Sequence, residues 1–453
     1  MSAPLSINRQ GIIFDKWALI SVLGVWAGMV AAMLSWIAEY GRNVPWAEDW
    51  VMVAALVGKQ SHLMKWLWSQ TMEHRAPIQR AAYLVLLKAS GGDFRIGMIA
   101  NAVALGGLCL ATILIARRLR GGQTRLADVF FPLVFLHLGH FENIFRGWQL
   151  QFIISASLAC VWLLIIVDSR WPLSSKVAVI AGITLVLLPL SGGGGMIFTP
   201  FVVLWITAGV LLFRKSMTAR WIIPFEAACV FISIVLVIVY FVGYEFVTQT
   251  NPGVVAIIIA SARFVGMALG PAGAAKSITG VLFCGVAFLL LASMIIPLRY
   301  GLLNTCPAER FRAFGLLIFA GAMATSTLAI GWGRAHWGEQ DRYALISAPG
   351  LCAVYFAWIL YGSESMRNRV TIIFAIAMLI ALPFNIRRGI FYREVYVAGM
   401  QAFEQDLRGG MSVKELAERH QKFLFGWVPL EQLVGEMRML HQARMGPWKG
   451  TAL

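Results

Sequence analysis

The chain has 453 residues, of which 59% are hydrophobic and only 13% are charged, whereas a soluble domain carries about 25% charged residues. This composition excludes a soluble globular protein, and the length of the apolar runs excludes a membrane β-barrel, whose strands alternate over about 10 residues. The formal net charge of +16 does not indicate a nucleic-acid partner, because Lys and Arg cluster at the ends of apolar runs, where they orient membrane helices.

The apolar runs predict an all-α fold, a polytopic membrane helical bundle with about 11 transmembrane helices. Loops rich in Lys and Arg alternate along the chain with loops that have few. This alternation predicts a multi-pass protein of the bacterial inner membrane with a cytoplasmic N-terminus and a periplasmic C-terminus. The predicted spans are 18–38, 95–116, 127–141, 150–168, 176–190, 196–213, 222–244, 277–297, 313–331, 343–361 and 369–386.

Two regions are predicted, a transmembrane bundle over 1–386 and a periplasmic helical tail over 387–453. Several amphipathic or short apolar segments outside the spans are predicted to be helical and to lie in or near the membrane interface. They are Val51–Leu67 and Ile78–Leu87 in the outer loop 39–94, and a re-entrant or interfacial segment at 254–267. The tail is predicted to form two amphipathic helices, Val413–Phe425 and Leu430–His441, which make a small cap on the solvent side.

The first outer loop carries two groups of ionisable residues. Glu48 and Asp49 are adjacent and lie between tryptophans; a carboxylate there can act as a general base or hold a metal, and the alternative is a solvated loop acid. Glu73, His74 and Arg75 follow in a row. Arg75 has the geometry to clamp a phosphate, and the alternative is an internal salt-bridge cluster.

The segment 137–151 joins two predicted spans and is unusually polar. So many polar groups at a membrane surface are costly unless they face water or a partner, so we predict substrate contacts here. The candidates are Glu142, Asn143, Arg146, Trp148 as a sugar-stacking ring, and Gln149. His137 and His140 have helical spacing and lie near Glu142, which makes a divalent metal a disfavoured alternative to a site without cofactors.

Two later outer loops complete the candidate site. Ser191–Gly195 contains four glycines, which suit either a phosphate or saccharide cradle or a tight hairpin. The loop 331–343 carries two arginines suited to an anionic lipid headgroup, unless they pair with Glu339 and Asp341. The candidates in this loop are Arg334, His336, Arg342 and Tyr343.

These clusters all fall on one predicted side of the membrane. With Glu48 and Asp49 in the first outer loop, interfacial segments after them and the late loop from Arg334 to Tyr343, the chain resembles the GT-C superfamily of membrane glycosyltransferases. The resemblance implies a polyprenyl-phosphate-linked sugar donor and a glycan or lipid acceptor. It also implies that Asp49 or Glu48 activates the acceptor hydroxyl, and that Arg342, Arg334 and Arg75 hold the lipid phosphate.

Two rival functions remain open at this point. An O-antigen polymerase or ligase uses the same carriers but has a larger late outer loop than 331–343. A non-enzymatic polysaccharide or lipid transporter would place polar residues at the centres of its spans, and the predicted spans carry few. Membrane lipid is a predicted partner under every one of these functions.

Overall fold

The structure is a computed structural model that describes residues 9–168, 170–172, 174–217, 219–246, 251–336, 338 and 340–449, with the side chains of 9–14 left out. Every regular element in these residues is helical, so the predicted all-α fold is confirmed. The α-helices are α1 (Arg9–Tyr40), α2 (Val53–Leu56), α3 (Leu63–Trp68), α4 (Pro77–Ala89), α5 (Arg95–Leu119), α6 (Phe130–Phe135), α7 (Phe141–Phe145), α8 (Leu150–Asp168), α9 (Ser175–Leu187), α10 (Gly193–Phe213), α11 (Ile222–Phe241), α12 (Val254–Gly266), α13 (Ile278–Ala292), α14 (Ile295–Leu302), α15 (Pro307–Arg334), α16 (Ala344–Tyr361), α17 (Glu364–Arg408), α18 (Val413–Phe425) and α19 (Leu430–Ala443).

Nine helices in the described part of the chain are long and apolar enough to cross a membrane. The protein is therefore a multi-pass membrane protein. Short 3-10 helices extend or connect the α-helices at Ala47–Met52, Leu126–Val129, Leu138–His140, Gly147–Gln149, Leu188–Ser191, Met267–Leu269, Pro271–Ala274, Asp341–Tyr343 and Gly446–Trp448.

Two of the eleven predicted spans are shorter than a full crossing helix. The first is α9, which continues only to Ser191 as a 3-10 turn. The second, predicted at 127–141, is broken into several short helices. Just after this segment, the Asn101 amide of α5 donates to the carbonyls of Asn143 (2.9 Å) and Arg146 (3.0 Å), groups that a continuous helix would bond internally.

The two ends of the bundle differ in composition. One end, which we call the basic end, holds ion pairs from Arg117 to Asp15 (3.3 Å) and from Arg120 to Asp128 (2.8 Å). The other end, which we call the polar end, holds the first loop, the segment 137–149 and the late loop after α15, joined by hydrogen bonds described below. The candidate residues from separate parts of the sequence therefore meet at one end of the protein.

The helices predicted outside the spans are only partly continuous. The second segment of the first loop is confirmed as α4, which starts at Pro77, a favourable first helical residue. The first predicted segment, Val51–Leu67, is not one helix: Gly58 adopts a φ of +76° between α2 and α3, a conformation that ends a helix. The α12 helix has 13 residues, too few to cross a membrane.

Both predicted tail helices are confirmed as α18 and α19. Ser412 and Glu415 form a reciprocal capping box at the start of α18. The boundary predicted at 386/387 falls inside a helix, because α17 runs unbroken for 45 residues. The tail packs on the first loop at the polar end, where the Trp46 indole N–H donates to the Phe423 carbonyl at 3.1 Å.

Candidate functional site at the polar end

A chain of four ionisable side chains forms the centre of the site. Arg146 lies between two carboxylates, with Nη1 3.4 Å from Glu48 Oε2 and Nη2 3.6 Å from Glu142 Oε1. Arg342 adds a second cation, 4.0 Å from Glu142 Oε1. The two carboxylates balance the two guanidinium charges, and every distance is long for an ion pair in so buried a place.

Backbone contacts fix this chain of charges in position. The Arg342 amide donates to Glu142 Oε2 at 3.2 Å, and the Asn143 side chain donates to the Arg342 carbonyl at 3.1 Å. The Arg146 guanidinium lies 4.6 Å from the centre of the Trp46 ring, a favourable cation–π position. The Nε atoms of Arg146 and Arg342 are buried and have no hydrogen-bond partner, so both cations retain bonding capacity.

Asp49 lies beside this centre but is held by the backbone. Its carboxylate accepts from the Trp148 amide at 2.7 Å and from the Trp46 amide at 3.4 Å. Burial raises the pKa of Asp49 to about 7, against the lowering effect of the Trp148 amide. Asp49 is 1% exposed and Glu48 is 9% exposed, so Glu48 is the more accessible of the two adjacent acids.

Two glycines allow Tyr83 to pack next to Asp49. A Cβ on Gly147 would lie 2.1 Å from the Tyr83 hydroxyl, and a Cβ on Gly97 would lie 2.7 Å from its ring. Neither position can carry a larger side chain without moving Tyr83. The fully buried Tyr83 ring thereby lies close to the Asp49 carboxylate.

The Glu73–Arg75 turn joins the site through its first two residues. Glu73 pairs with Arg334 at 2.7 Å. Burial lowers the pKa of His74 to about 4, and the charges of Arg334 and Arg342 lower it further, so His74 is neutral at neutral pH. Arg75 is directed elsewhere, because its Nη2 donates to the Gly243 carbonyl at 2.7 Å. One donor of the predicted phosphate clamp at Arg75 is therefore bonded to the protein's own backbone, while its buried Nε has no hydrogen-bond partner.

The glycine-rich loop Ser191–Gly195 packs directly on this turn. Gly192 adopts a φ of +97°, and a Cβ on Gly193 would lie 2.8 Å from His74 Nδ1. The glycines therefore give both the tight turn and a close approach to a protein side chain. His74 Nδ1 is buried and has no hydrogen-bond partner.

The candidate residues of the late loop differ in their contacts and exposure. The Arg342 guanidinium lies 5.9 Å from the Phe152 ring and 5.6 Å from the Tyr343 ring. His336 is exposed. Asp341 pairs with Arg388 at 2.5 Å rather than with the two candidate arginines, and Glu339, its predicted companion, lies outside the described residues.

Trp148 does not have the position expected of a sugar-stacking ring, and the two histidines of the same segment contact each other. Trp148 is buried against Arg80, so its ring offers no surface for stacking on a sugar. His137 and His140 stack on each other with ring centres 4.2 Å apart, and burial lowers the pKa of both. Among the described residues, no three His, Cys, Asp or Glu side chains are grouped as metal ligands. Gln149 is fully buried, and neither amide atom of its side chain has a partner.

An apolar cavity of about 540 Å³ lies next to the Arg342 side of the site. It is formed by α12, α13, α15 and α16, and Phe264 in its wall packs in one cluster with Phe152 and Tyr343. Its lining includes Ile258, Phe264, Phe288, Leu291, Met323 and Leu328. The rings under the Arg342 guanidinium are therefore continuous with an apolar chamber between membrane helices.

Sequence reasoning missed the residues that support the site. Tyr83 and Arg80 were part of an apolar segment in the sequence, and Asn101 lies in the middle of a predicted span. Asn101 is the one with a usable signal, since a polar amide inside an apolar helix commonly bonds to a neighbouring segment. No protein-family model matches the chain, and no curated protein is significantly similar to it.

Proposed function

We propose that the protein is a membrane glycosyltransferase of GT-C type that moves a sugar from a polyprenyl-phosphate carrier to a glycan or lipid acceptor. One observation carries this proposal: the loosely paired charges of Glu48, Arg146, Glu142 and Arg342 lie beside an apolar cavity between membrane helices. A lipid-linked sugar has the matching parts, a long apolar tail, a phosphate and a polar sugar.

In this proposal Arg342 binds the donor phosphate. Its guanidinium has the weakest ion pair of the cluster, and it lies over rings that adjoin the cavity. Arg334 is second in this role because Glu73 already holds it at 2.7 Å. The carrier's apolar chain occupies the cavity formed by α12, α13, α15 and α16.

The reaction is a single displacement at the anomeric carbon. The acceptor oxygen attacks that carbon while its proton passes to Glu48, and the bond from the carbon to the phosphate oxygen breaks. The phosphate oxygen takes the bonding electron pair and leaves as polyprenyl phosphate, with Arg342 stabilising its charge. Such a displacement inverts the anomeric configuration, and it needs neither a nucleotide nor a metal.

Glu48 is preferred to Asp49 as the base because of what each carboxylate bonds. Asp49 accepts two backbone amides and is 1% exposed, so it orders the turn that carries Glu48. Within the described part of the chain, the Glu48 carboxylate has one ion-pair partner, Arg146 at 3.4 Å. The proposal also places the polar end in the periplasm and the basic end in the cytoplasm, following the distribution of Lys and Arg in short loops.

The test has a binding arm and a turnover arm. Undecaprenyl phosphate should bind the purified protein more tightly than undecaprenol does, and Arg342→Ala should remove the difference. With a panel of undecaprenyl-phosphate sugars as donors, Glu48→Gln should lower the release of undecaprenyl phosphate by about 10²–10⁴-fold without weakening carrier binding.

Glu39→Gln is the matched control, because Glu39 lies at the end of α1 and outside the charge cluster. If undecaprenol binds as well as the phosphate, the proposed carrier site is wrong. If Asp49→Asn abolishes turnover and Glu48→Gln does not, the role of base moves to Asp49. If neither variant lowers turnover, the proposed chemistry of this loop fails.

A further inference from the structure

A second groove lies between α1 and α5, at the end of the first loop. Its walls are two apolar stripes at helical spacing: Leu34, Ile37 and Ala38 on α1, and Ile96 and Ile99 on α5. The volume between them is about 490 Å³. Since α1 ends at Tyr40 and α5 begins at Arg95, the groove lies at the membrane boundary of the polar end.

The mouth of this groove is charged. Ser90, Asp93 and Arg95 line it, and Arg95 forms a two-bonded pair with Asp93, with the shortest contact at 2.6 Å. The Arg95 side chain is nevertheless 47% exposed. Lys449 from the tail adds a second cation, since a side chain at Gly91 would lie 3.7 Å from its Nζ.

The charges at the mouth sum to one positive charge, from two cations and one carboxylate. An apolar wall between two membrane helices, with an excess cation at the membrane boundary, matches a phospholipid whose headgroup is anionic. A zwitterionic lipid brings an ammonium or trimethylammonium group that this excess charge repels. The groove therefore differs from the cavity near Arg342 in both its location and its charged residues.

We propose that the α1–α5 groove binds an anionic phospholipid, with acyl chains against Leu34 and Ile99 and the phosphate at Arg95 and Lys449. This site is independent of the proposed transfer reaction, because none of its residues belongs to the charge cluster of Glu48, Glu142, Arg146 and Arg342. The tail takes part in lipid binding through Lys449, so binding also links α5 to the last described residues of the chain.

The experiment uses the full chain, delipidated in detergent and titrated separately with phosphatidylglycerol and phosphatidylcholine under native mass spectrometry. Wild-type protein should hold phosphatidylglycerol at least about five-fold more tightly, as expected when one cation near a membrane surface contributes about 1 kcal/mol. The double variant Arg95→Gln/Lys449→Gln should lose this preference and keep its phosphatidylcholine binding. Lys414→Gln, an exposed cation on α18, is the matched control and should behave as wild type.

A second variant tests the location without touching the charges. Ala38 is exposed in the groove wall, so Ala38→Trp should fill the groove, lower the binding of both lipids and leave the thermal unfolding midpoint unchanged. Equal binding of the two lipids by wild-type protein overturns the headgroup assignment. Unchanged lipid binding by Ala38→Trp overturns the site. The site is also wrong if the delipidated protein is a dimer that Ala38→Trp dissociates, because a second copy of the chain would then fill the groove.

Discussion

One ion pair at the basic end, Arg120–Asp128, and the charge cluster of Glu48, Glu142, Arg146 and Arg342 at the polar end differ in how close the charged groups lie. At the basic end, Asp128 accepts from Arg120 at 2.8 Å and from the Tyr355 hydroxyl at 2.8 Å, and both partners of the ion pair are buried. At the polar end, Glu142 lies 3.6 Å from Arg146 and 4.0 Å from Arg342. Charged groups that form short, complete hydrogen bonds with each other stabilise the fold, whereas charged groups that the backbone holds apart can still bind a ligand.

The largest effect that separates the two ends is on stability. Asp128→Asn leaves Arg120 buried without its counter-charge, which should lower the free energy of unfolding by about 3–5 kcal/mol. Glu142→Gln is the matched change at the polar end, and it should cost less, about 1–3 kcal/mol, because Glu48 still faces Arg146 and the pairs that Glu142 makes are 3.6 and 4.0 Å long. Thermal unfolding of the purified variants in one detergent measures both. Equal losses would remove the distinction between the two ends.

Carrier binding gives the next largest effect and compares two arginines of one loop. Arg342→Ala should weaken undecaprenyl phosphate binding by about 10–100-fold, as a lost charge-assisted hydrogen bond is worth about 1.5–3 kcal/mol. Arg334→Ala should weaken it less, since Glu73 already bonds Arg334 at 2.7 Å. Binding measured by a competitive fluorescence assay decides the order. A larger loss for Arg334→Ala would show that a close ion pair does not exclude a ligand role.

The pH dependence of stability tests the buried state of Asp49. Because burial raises its pKa to about 7, the folded protein binds a proton that the unfolded chain, with an aspartate pKa of about 3.9, has already lost. The wild-type protein should therefore lose about 1 kcal/mol of stability relative to Asp49→Asn between about pH 6 and about pH 8, and the difference should level off above that range. Thermal unfolding of the wild-type protein and of Asp49→Asn, measured in parallel across this pH range, gives the difference in stability. If the stability of the wild-type protein instead rises relative to that of Asp49→Asn as the pH increases, the fold stabilises the Asp49 carboxylate and the pKa of Asp49 is lowered.

The smallest expected effect concerns the tail. Trp46→Phe keeps an aromatic ring under Arg146 but loses the hydrogen bond to the Phe423 carbonyl, which should cost about 1 kcal/mol. Limited proteolysis should then cut the tail faster while the bundle stays intact. Trp36→Phe, on the α1 surface that contacts Arg393, is the control. Unchanged cleavage of the Trp46 variant would mean that other contacts alone hold the tail.

The sequence predicted those parts of the fold that have local signals. The α18 helix has a capping pair at Ser412 and Glu415 and a strong apolar periodicity, so its bounds were predicted to the residue. The hydrogen bonds that hold the segment after α7 had no such signal, because they come from Asn101, which is 42 residues from the first carbonyl it bonds. Glycine at position 58 was a local signal for the break between α2 and α3, and the periodicity of the surrounding apolar residues obscured it.

The candidate site, like the fold, was predicted where the sequence has a local signal and missed where it has none. Residue type and position indicated that Glu48, Glu142, Arg146 and Arg342 lie at one end of the bundle. Their mutual pairing depends on contacts across 98 residues from Glu48 to Arg146 and 200 residues from Glu142 to Arg342. Arg75 is the clearest case of a contact that the sequence does not indicate. The Gly243 carbonyl that it bonds is 168 residues away, and no pattern near Arg75 indicates that partner.

The docking of the tail on the first loop has a consequence for the synthesis of the protein. Trp46 and the Phe423 carbonyl that it bonds are 377 residues apart, and a ribosome takes roughly 20 to 75 s to translate that length. Throughout that interval the turn that carries Glu48 and Asp49 lacks its last support. A nascent chain that has not yet reached α18 cannot form this hydrogen bond, so the turn that carries Glu48 and Asp49 waits for a contact made late in synthesis.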